Sequence, residues 1–216
     1  MRFQAALFDL DGTLLDSVDD LADSTNATLA EFGFPTHPNE AYKFFVGNGM
    51  KKLATNASPI NTPEETILRI TDRLCENYST GWNKKTTIYD GIPELLDALA
   101  ARGVILGVLS NKPDPFTQVV IKHFFGEKRF AAVFGARPDV PAKPDPAGAK
   151  EIAAMLGLHP SQFLYLGDTN TDMRTGISAG MFTVGVSWGF RPVKELVDAG
   201  ATTIINKPHE ALALLE

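Results

Sequence analysis

The chain has 216 residues, 44% of them hydrophobic and 21% charged, with a net charge of -6. That is enough for one large domain or for a domain carrying a smaller inserted one. The acidic balance argues against a nucleic-acid or anionic-membrane surface, which would select clustered Lys and Arg, but a local group of cations could still hold a small anionic substrate. The single cysteine, Cys75, excludes an intramolecular disulfide and falls on the apolar face of a helical pattern (Ile67, Ile70, Leu74), as a small hydrophobe would. No apolar run approaches the ~20 residues of a membrane span. The run from Phe3 to Phe8 is too short for a signal core, so the expected location is cytoplasmic.

In chain order, Ala5 to Leu10 is a short apolar run ending in carboxylates, the pattern of a buried strand that delivers a site at its end. Ser17 to Phe32 turns helical, with Val18, Leu21, Thr25 and Leu29 on one face, Asp16 or Ser17 as N-cap and Gly33 as the stop. Glu40 to Val46 is predicted helical, is interrupted by Gly47-Asn48-Gly49, and resumes through Met50 to Asn56. A third helix is expected from Thr62-Pro63-Glu64-Glu65, with Thr62 as N-cap and Pro63 at the first turn, to about Ser79. After Thr87, helices and apolar strands alternate. Helices are predicted from Asp90 to Ala101, Pro115 to Phe125, Pro146 to Leu156, Asp172 to Ala179, Lys194 to Asp198 and His209 to Leu215. Strands fall at Val104 to Leu109, Ala131 to Phe134, Phe163 to Leu166, Thr183 to Val186 and Thr203 to Ile205. Such alternation with apolar strands predicts an α/β fold, a Rossmann-like parallel sheet covered on both faces as a three-layer α/β/α core. Residues 16–85 interrupt it as an inserted all-helical cap, leaving 1–15 and 86–216 as the core domain.

In open α/β sheets ligands bind beyond the carboxyl ends of the strands, and four such ends are polar here. They carry Asp9 and Asp11, then Ser110-Asn111-Lys112, then Lys143, and finally Asp168-Thr169-Asn170-Thr171-Asp172. Carboxylates brought together repel unless a cation joins them, and an all-oxygen donor set suits Mg²⁺. Asp9 is then placed to attack phosphorus, and Asp11 to protonate the departing oxygen and deprotonate the attacking water. Ser110 and the amide of Asn111 would hold a phosphoryl oxygen, with Lys143 offsetting the accumulated charge. The Asp168–Asp172 run also looks like the start of a calcium loop. Such a loop needs Gly at its sixth and Glu at its twelfth position, where this chain has Met173 and Ala179.

Asp9-Leu10-Asp11-Gly12-Thr13, Ser110-Asn111, Lys143 and Gly167-Asp168-Thr169-Asn170-Thr171-Asp172 together resemble the four ordered motifs of the haloacid dehalogenase-like superfamily. The resemblance covers essentially the whole chain. It implies an aspartyl-phosphate on Asp9, Asp11 as general acid/base, and Mg²⁺ held by Asp9, Asp168 and the main chain of Asp11, with Asp172 supporting the metal. An insertion right after the first motif is similar to the branch with a helical cap. Gly47-Asn48-Gly49-Met50-Lys51-Lys52-Leu53 resembles the cap signature of phosphoglycolate phosphatase-like members. Substrate contacts are therefore expected from Thr13, Asn111, Gly47, Asn48, Gly49 and Lys51. The expected activity is Mg²⁺-dependent hydrolysis of a small phosphorylated metabolite. Asp11 speaks against carbon-attacking dehalogenases. A sugar-phosphate mutase keeps all four motifs and is the enzymatic rival; a non-catalytic binding protein is the other.

Overall fold

The computed structural model describes residues 3–215. Strand β1, Ala5–Phe8, is buried along its whole length. Ala6 and Phe8 face one hydrophobic cluster while Ala5 and Leu7 face another, the two-sided burial that a continuous apolar strand requires. The short strands β2 (Leu15–Asp16) and β3 (Thr87–Ile88) pair antiparallel with each other. The main sheet adds β4 (Ile105–Pro113), β5 (Ala132–Ala136), β6 (Phe163–Gly167), β7 (Phe182–Val186) and β8 (Thr203–Ile205). Its order is β5-β4-β1-β6-β7-β8, all neighbours parallel. Phe8 lies opposite both Val108 and Leu166. Asp9 and Asp168, which follow β1 and β6, therefore lie at the same end of the sheet as Ser110 of β4.

Helices cover both faces. On one face lie α5 (Ile92–Ala101), α6 (Asp114–Phe125) and the terminal 3₁₀ segment Pro208–Leu215, with Leu96, Leu99, Val120 and Ala211 in the core. The other face packs α7 (Ala147–Met155) through Ala149 and Ile152, and α8 (Asn170–Ala179) through Ala179. A short helix α9, Val193–Asp198, lies between β7 and β8 in sequence. The fold class read from the sequence is the one observed.

Four helices separate β2 from β3: α1 (Val18–Glu31), α2 (Asn39–Phe45), α3 (Met50–Ala57) and α4 (Glu64–Ser79). They enclose their own cluster, with Leu21, Leu29, Tyr42, Leu53, Ile70, Leu74 and Tyr78 inside, and Phe190 of the core joins it. On α4 the buried positions Ile67, Ile70, Leu74 and Tyr78 recur every three or four residues, which gives one apolar stripe. Cys75 is half-buried against this cluster, and burial first, then Asp72, raises its thiol pKa.

The chain crosses between core and cap twice, and the two crossings are bound together. Asp20 at the start of α1 is buried and accepts the amides of Lys84, Lys85 and Thr86 at 2.9–3.0 Å and the Thr86 hydroxyl at 2.7 Å. Asp20→Ala leaves the buried Thr86 amide and hydroxyl unpaired, a loss of about 3 kcal/mol. A urea titration should show the midpoint falling with unchanged slope; an unchanged midpoint would remove Asp20 as a fastener.

Several boundaries differ from expectation. Strand β4 runs on through Ser110, Asn111 and Lys112 to Pro113, beyond the predicted end at Leu109, with its register against β5 broken between Leu109 and Pro113. Helix α8 starts at Asn170 rather than Asp172, because Thr169 caps it and Asp172 closes the capping box. Thr62 does not cap α4; its hydroxyl donates to the Pro59 carbonyl. Two-residue strands such as β2 and β3 carry no periodic signal, and the sequence did not disclose them.

Candidate active site

Asp9, the residue after β1, is buried, and one of its carboxylate oxygens accepts the Leu10 amide at 2.7 Å. The Lys143 ammonium lies 2.8 Å from that oxygen and 2.7 Å from Asp172. Lys143 and Asp172 are also buried, so these charges face one another with almost no water between them. Burial, with Asp172 and Asp168 beside it, pushes the Asp9 carboxyl well above the usual carboxylate range even though Lys143 pulls the other way. Burial works against the Lys143 charge, yet Asp172 and Asp9 hold its pKa above the ordinary lysine value.

Asp168 follows β6 and is wholly buried. One oxygen accepts the Thr13 hydroxyl at 3.1 Å and the other the Phe190 amide at 2.9 Å. Burial and then Asp172 bring its pKa up to about 7. Backbone approaches this carboxylate closely: a Cβ on Gly12, which has φ +86°, or on Gly189 would come within 2.2 Å of Asp168 side-chain atoms. Only glycine fits either position. Asp172 is occupied by protein donors on both oxygens, Lys143 on one and the Thr169 amide and hydroxyl (3.1 and 2.6 Å) on the other. Carboxylate oxygens of Asp9, Asp168 and Asp172 lie within 4.8 Å of one another. Three carboxylates facing one ammonium leave an excess of negative charge. A hard divalent cation with oxygen ligands would offset it, and Asp9 and Asp168 keep lone pairs for such an ion.

Asp11 lies at the mouth of this cluster. Its carboxylate accepts the Ser17 hydroxyl at 2.6 Å on one oxygen and pairs with the Lys112 ammonium at 2.9 Å on the other. Ser17 occupies the N-cap position of α1 but makes no side-chain cap there, because its hydroxyl is engaged by Asp11. Lys112 is buried; burial opposes its charge, but Asp11 and Tyr78 hold the ammonium above the ordinary lysine value.

A narrow cavity of about 30 Å³ opens onto Asp9, Asp11 and the bulged run Ser110, Asn111 and Lys112. Its opposite wall comes from Leu21, Val46, Gly47, Gly49, Met50 and Leu53 of the cap. The register break in β4 lets three consecutive residues face one space, which a regular strand would not allow. A cavity this small holds about one water. Hydrogen bonds between core and cap border this space. The Asn111 amide donates to the Gly47 carbonyl at 3.0 Å, the Thr171 hydroxyl to Asn48 at 3.0 Å, and the Arg191 guanidinium to the carbonyls of Lys43, Phe44 and Val46 at the end of α2.

The structure thus brings Asp9, Asp11, Ser110, Asn111, Lys143, Asp168 and Asp172 to one sheet edge, with Gly47 and Gly49 facing them. Thr13 is fully buried and directs its hydroxyl at Asp168, not into the cavity. Asn48 is turned to Thr171. Lys51 is exposed, ion-paired with Glu64, and does not line the cavity. Lys112 and Arg191 were not singled out in the sequence. The available signal for Lys112 was a lysine continuing a polar run directly off an apolar strand.

The sequence profile of the haloacid dehalogenase-like hydrolase family matches residues 6–186. The chain is 32% identical over 205 residues to a phosphoglycolate phosphatase of Mannheimia succiniciproducens, covering 92% of each protein. It is 30% identical over 217 residues to an N-acetylmuramic acid 6-phosphate phosphatase of Pseudomonas aeruginosa, covering 100% of this chain and 96% of that one. Among solved structures it superposes on a predicted phosphoglycolate phosphatase of Haemophilus somnus with a TM-score of 0.91 and 26% identity, covering 100% of this chain and 99% of that one.

Proposed function

We infer that this chain, which belongs to the haloacid dehalogenase-like hydrolase family, hydrolyses a small phosphoglycolate-like phosphate monoester through an aspartyl-phosphate on Asp9. The observation that carries the reading is the single ammonium of Lys143 set between Asp9 and Asp172, with Asp168 beside them, beneath a cap that closes on the same point. The cap wall of the cavity is short and apolar, which favours a small ester, with Lys112 in its lining and Lys143 paired to Asp9.

In the first step a carboxylate oxygen of Asp9 forms a bond to phosphorus as the ester P–O bond breaks. Asp11 protonates the departing oxygen. In the second, Asp11 takes a proton from water as that water attacks phosphorus, and the Asp9 acyl-phosphate bond breaks. Ser110 and the backbone beyond it hold a phosphoryl oxygen, while Lys143 offsets the charge that gathers there. Asp9 and Asp168, with the main chain at Asp11, would hold Mg²⁺, with Asp172 orienting Lys143 beside it. The ion would supply electrostatic neutralisation of the phosphoryl oxygens. A panel of small phosphate esters with Mg²⁺ tests the reading: 2-phosphoglycolate should lead sugar phosphates, nucleotides and phosphoproteins in kcat/KM. A preference for phosphoproteins would sink it.

The proton and the metal compete for the same carboxylates, and this sets a pH dependence. With Asp168 at about 7 against an ordinary value of 3.8, the folded chain binds more protons than the unfolded chain between those values. Its metal-free stability from this group therefore falls as pH rises from about 4 to about 7 and is level above that. Mg²⁺ needs the deprotonated form, so its stabilisation grows over the same window. Thermal melts with Mg²⁺ and with chelator should show a larger Mg²⁺-induced rise in Tm at pH 8 than at pH 5. Equal rises at both would contradict a metal site built on Asp168.

A further inference from the structure

Lys112 is absent from the phosphoryl-binding set, yet it is buried and its ammonium is held by two partners. Its side chain is 2% exposed, and its ammonium lies 2.9 Å from Asp11. The same ammonium donates to the Tyr78 hydroxyl at 2.8 Å and sits 4.7 Å from the centre of the Tyr78 ring. Tyr78 belongs to the cap. It lies in the last turn of α4, is fully buried, and packs edge-on against Phe116 of α6 at 5.5 Å. The other oxygen of Asp11 is bound by Ser17, at the crossing that leads into the cap. Asp11 is therefore held on one side by the outgoing crossing and on the other by a core lysine whose position depends on the last cap helix.

We propose that Lys112 is a positioning residue that fixes the Asp11 carboxylate for proton transfer only when the cap, through Tyr78, is closed. The proposal rests on Asp11 being the proton donor and acceptor of the reaction. When α4 moves outward, the Tyr78 hydroxyl leaves the ammonium, and Lys112 loses the partner that fixes its direction toward Asp11. Hydrolysis is then tied to the closed state, in which bulk water is excluded.

The test compares Lys112→Met, Tyr78→Phe, their double variant and Asp11→Asn on 2-phosphoglycolate and on acetyl phosphate, each with Mg²⁺. Acetate departs from acetyl phosphate with its electron pair and without needing a proton, so Asp9 is phosphorylated without help from Asp11. The following attack of water still needs Asp11 to accept a proton. For Lys112→Met the expected result is a fall of about 10²-fold in kcat on 2-phosphoglycolate with KM nearly unchanged. On acetyl phosphate it should give a burst of one acetate per enzyme followed by slow turnover. Tyr78→Phe keeps the ring and its packing, and should lower kcat several-fold in the same pattern. The double variant should lose no more than Lys112→Met alone, because the two act in series. Unchanged kcat in Lys112→Met, a raised KM with unchanged kcat, or additive losses in the double variant would each overturn the proposal. If Lys112→Met fails to fold, Tyr78→Phe with wild-type kcat and no burst overturns it as well. Asp11→Asn separates the two readings. Full activity there removes Asp11 as the proton carrier and the proposal with it, whereas a loss in Asp11→Asn without one in Lys112→Met removes Lys112 alone.

Discussion

Asp9→Asn should reduce phosphate release by ~10⁴-fold or more while leaving the fold at least as stable. The loss follows from chemistry: an amide oxygen at this position does not form the acyl-phosphate, and water alone must attack a phosphoryl group aligned for Asp9. The stability follows from electrostatics. Asp9 is buried, its neighbours Asp172 and Asp168 oppose its charge, and its pKa is raised above the ordinary carboxylate range. A group of that kind destabilises the folded chain when ionised at neutral pH, so an uncharged isostere relieves the strain. Lys143 keeps its 2.7 Å partner Asp172 in the variant. Melts in chelator should show Tm unchanged or raised, and the rise that Mg²⁺ produces should shrink because a ligand is gone. Phosphate release at the wild-type rate would refute the nucleophile assignment; lost activity together with a large fall in Tm would mean the variant had only unfolded.

How much of this was legible in the sequence depends on the range over which each feature is determined. The sheet was legible because β1, β6 and the first half of β4 (Ile105 to Leu109) are continuous apolar runs, and runs of that kind are buried on both faces. The strand-end carboxylates were legible because strand ends share one edge once strand pairing is parallel. The bulge in β4 was not: it depends on how residues 110–112 meet β5, and nothing local in Ser110-Asn111-Lys112 marks a register break. Thr13 and Lys51, expected as substrate contacts, lie outside the cavity lining for a related reason. A hydroxyl beside Asp9 can serve the substrate or the metal-side carboxylate, and only the position of Asp168, 155 residues later, decides it. Lys51 is on a cap helix whose rotation relative to the cavity is set by packing against α4, where Glu64 takes its charge. Arg191 is the clearest long-range case, since the carbonyls it binds are 145 to 148 residues earlier in the chain. The last carbonyls of a helix have no intrahelical partner; Asn56 takes that of Phe45 and Arg191 those of Lys43, Phe44 and Val46, so one core side chain helps finish α2 and holds it to the core.

Lys143→Met should be the most damaging substitution for the folded chain and for its chemistry together. Among the described residues the ammonium is the one cation placed between Asp9 and Asp172, and removing it leaves three buried carboxylates facing one another. Removing one partner of a buried ion pair costs about 3–5 kcal/mol, because the remaining charge keeps its desolvation penalty without its partner. The direction of the pH response follows. With Lys143 gone its pull on Asp9 is lost, so the carboxyls bind protons more readily in the folded state. The deficit relative to wild type should therefore be largest above pH 7 and should narrow as pH falls. Mg²⁺ should recover more of the lost Tm in this variant than it adds to wild type, since it supplies charge where charge is missing. Activity should not return with the Tm, because the substrate's phosphoryl charge still lacks its ammonium; a fall of about 10²–10³-fold in kcat is expected even in the Mg²⁺-restored protein. Lys143→Arg distinguishes charge from geometry. A guanidinium restores the charge but is wider than an ammonium fitted between oxygens at 2.7 and 2.8 Å, so it should recover stability in part and kcat little. Recovery of kcat in step with Tm across the series would show that Lys143 acts only as a structural counter-ion and takes no part in holding the phosphoryl group.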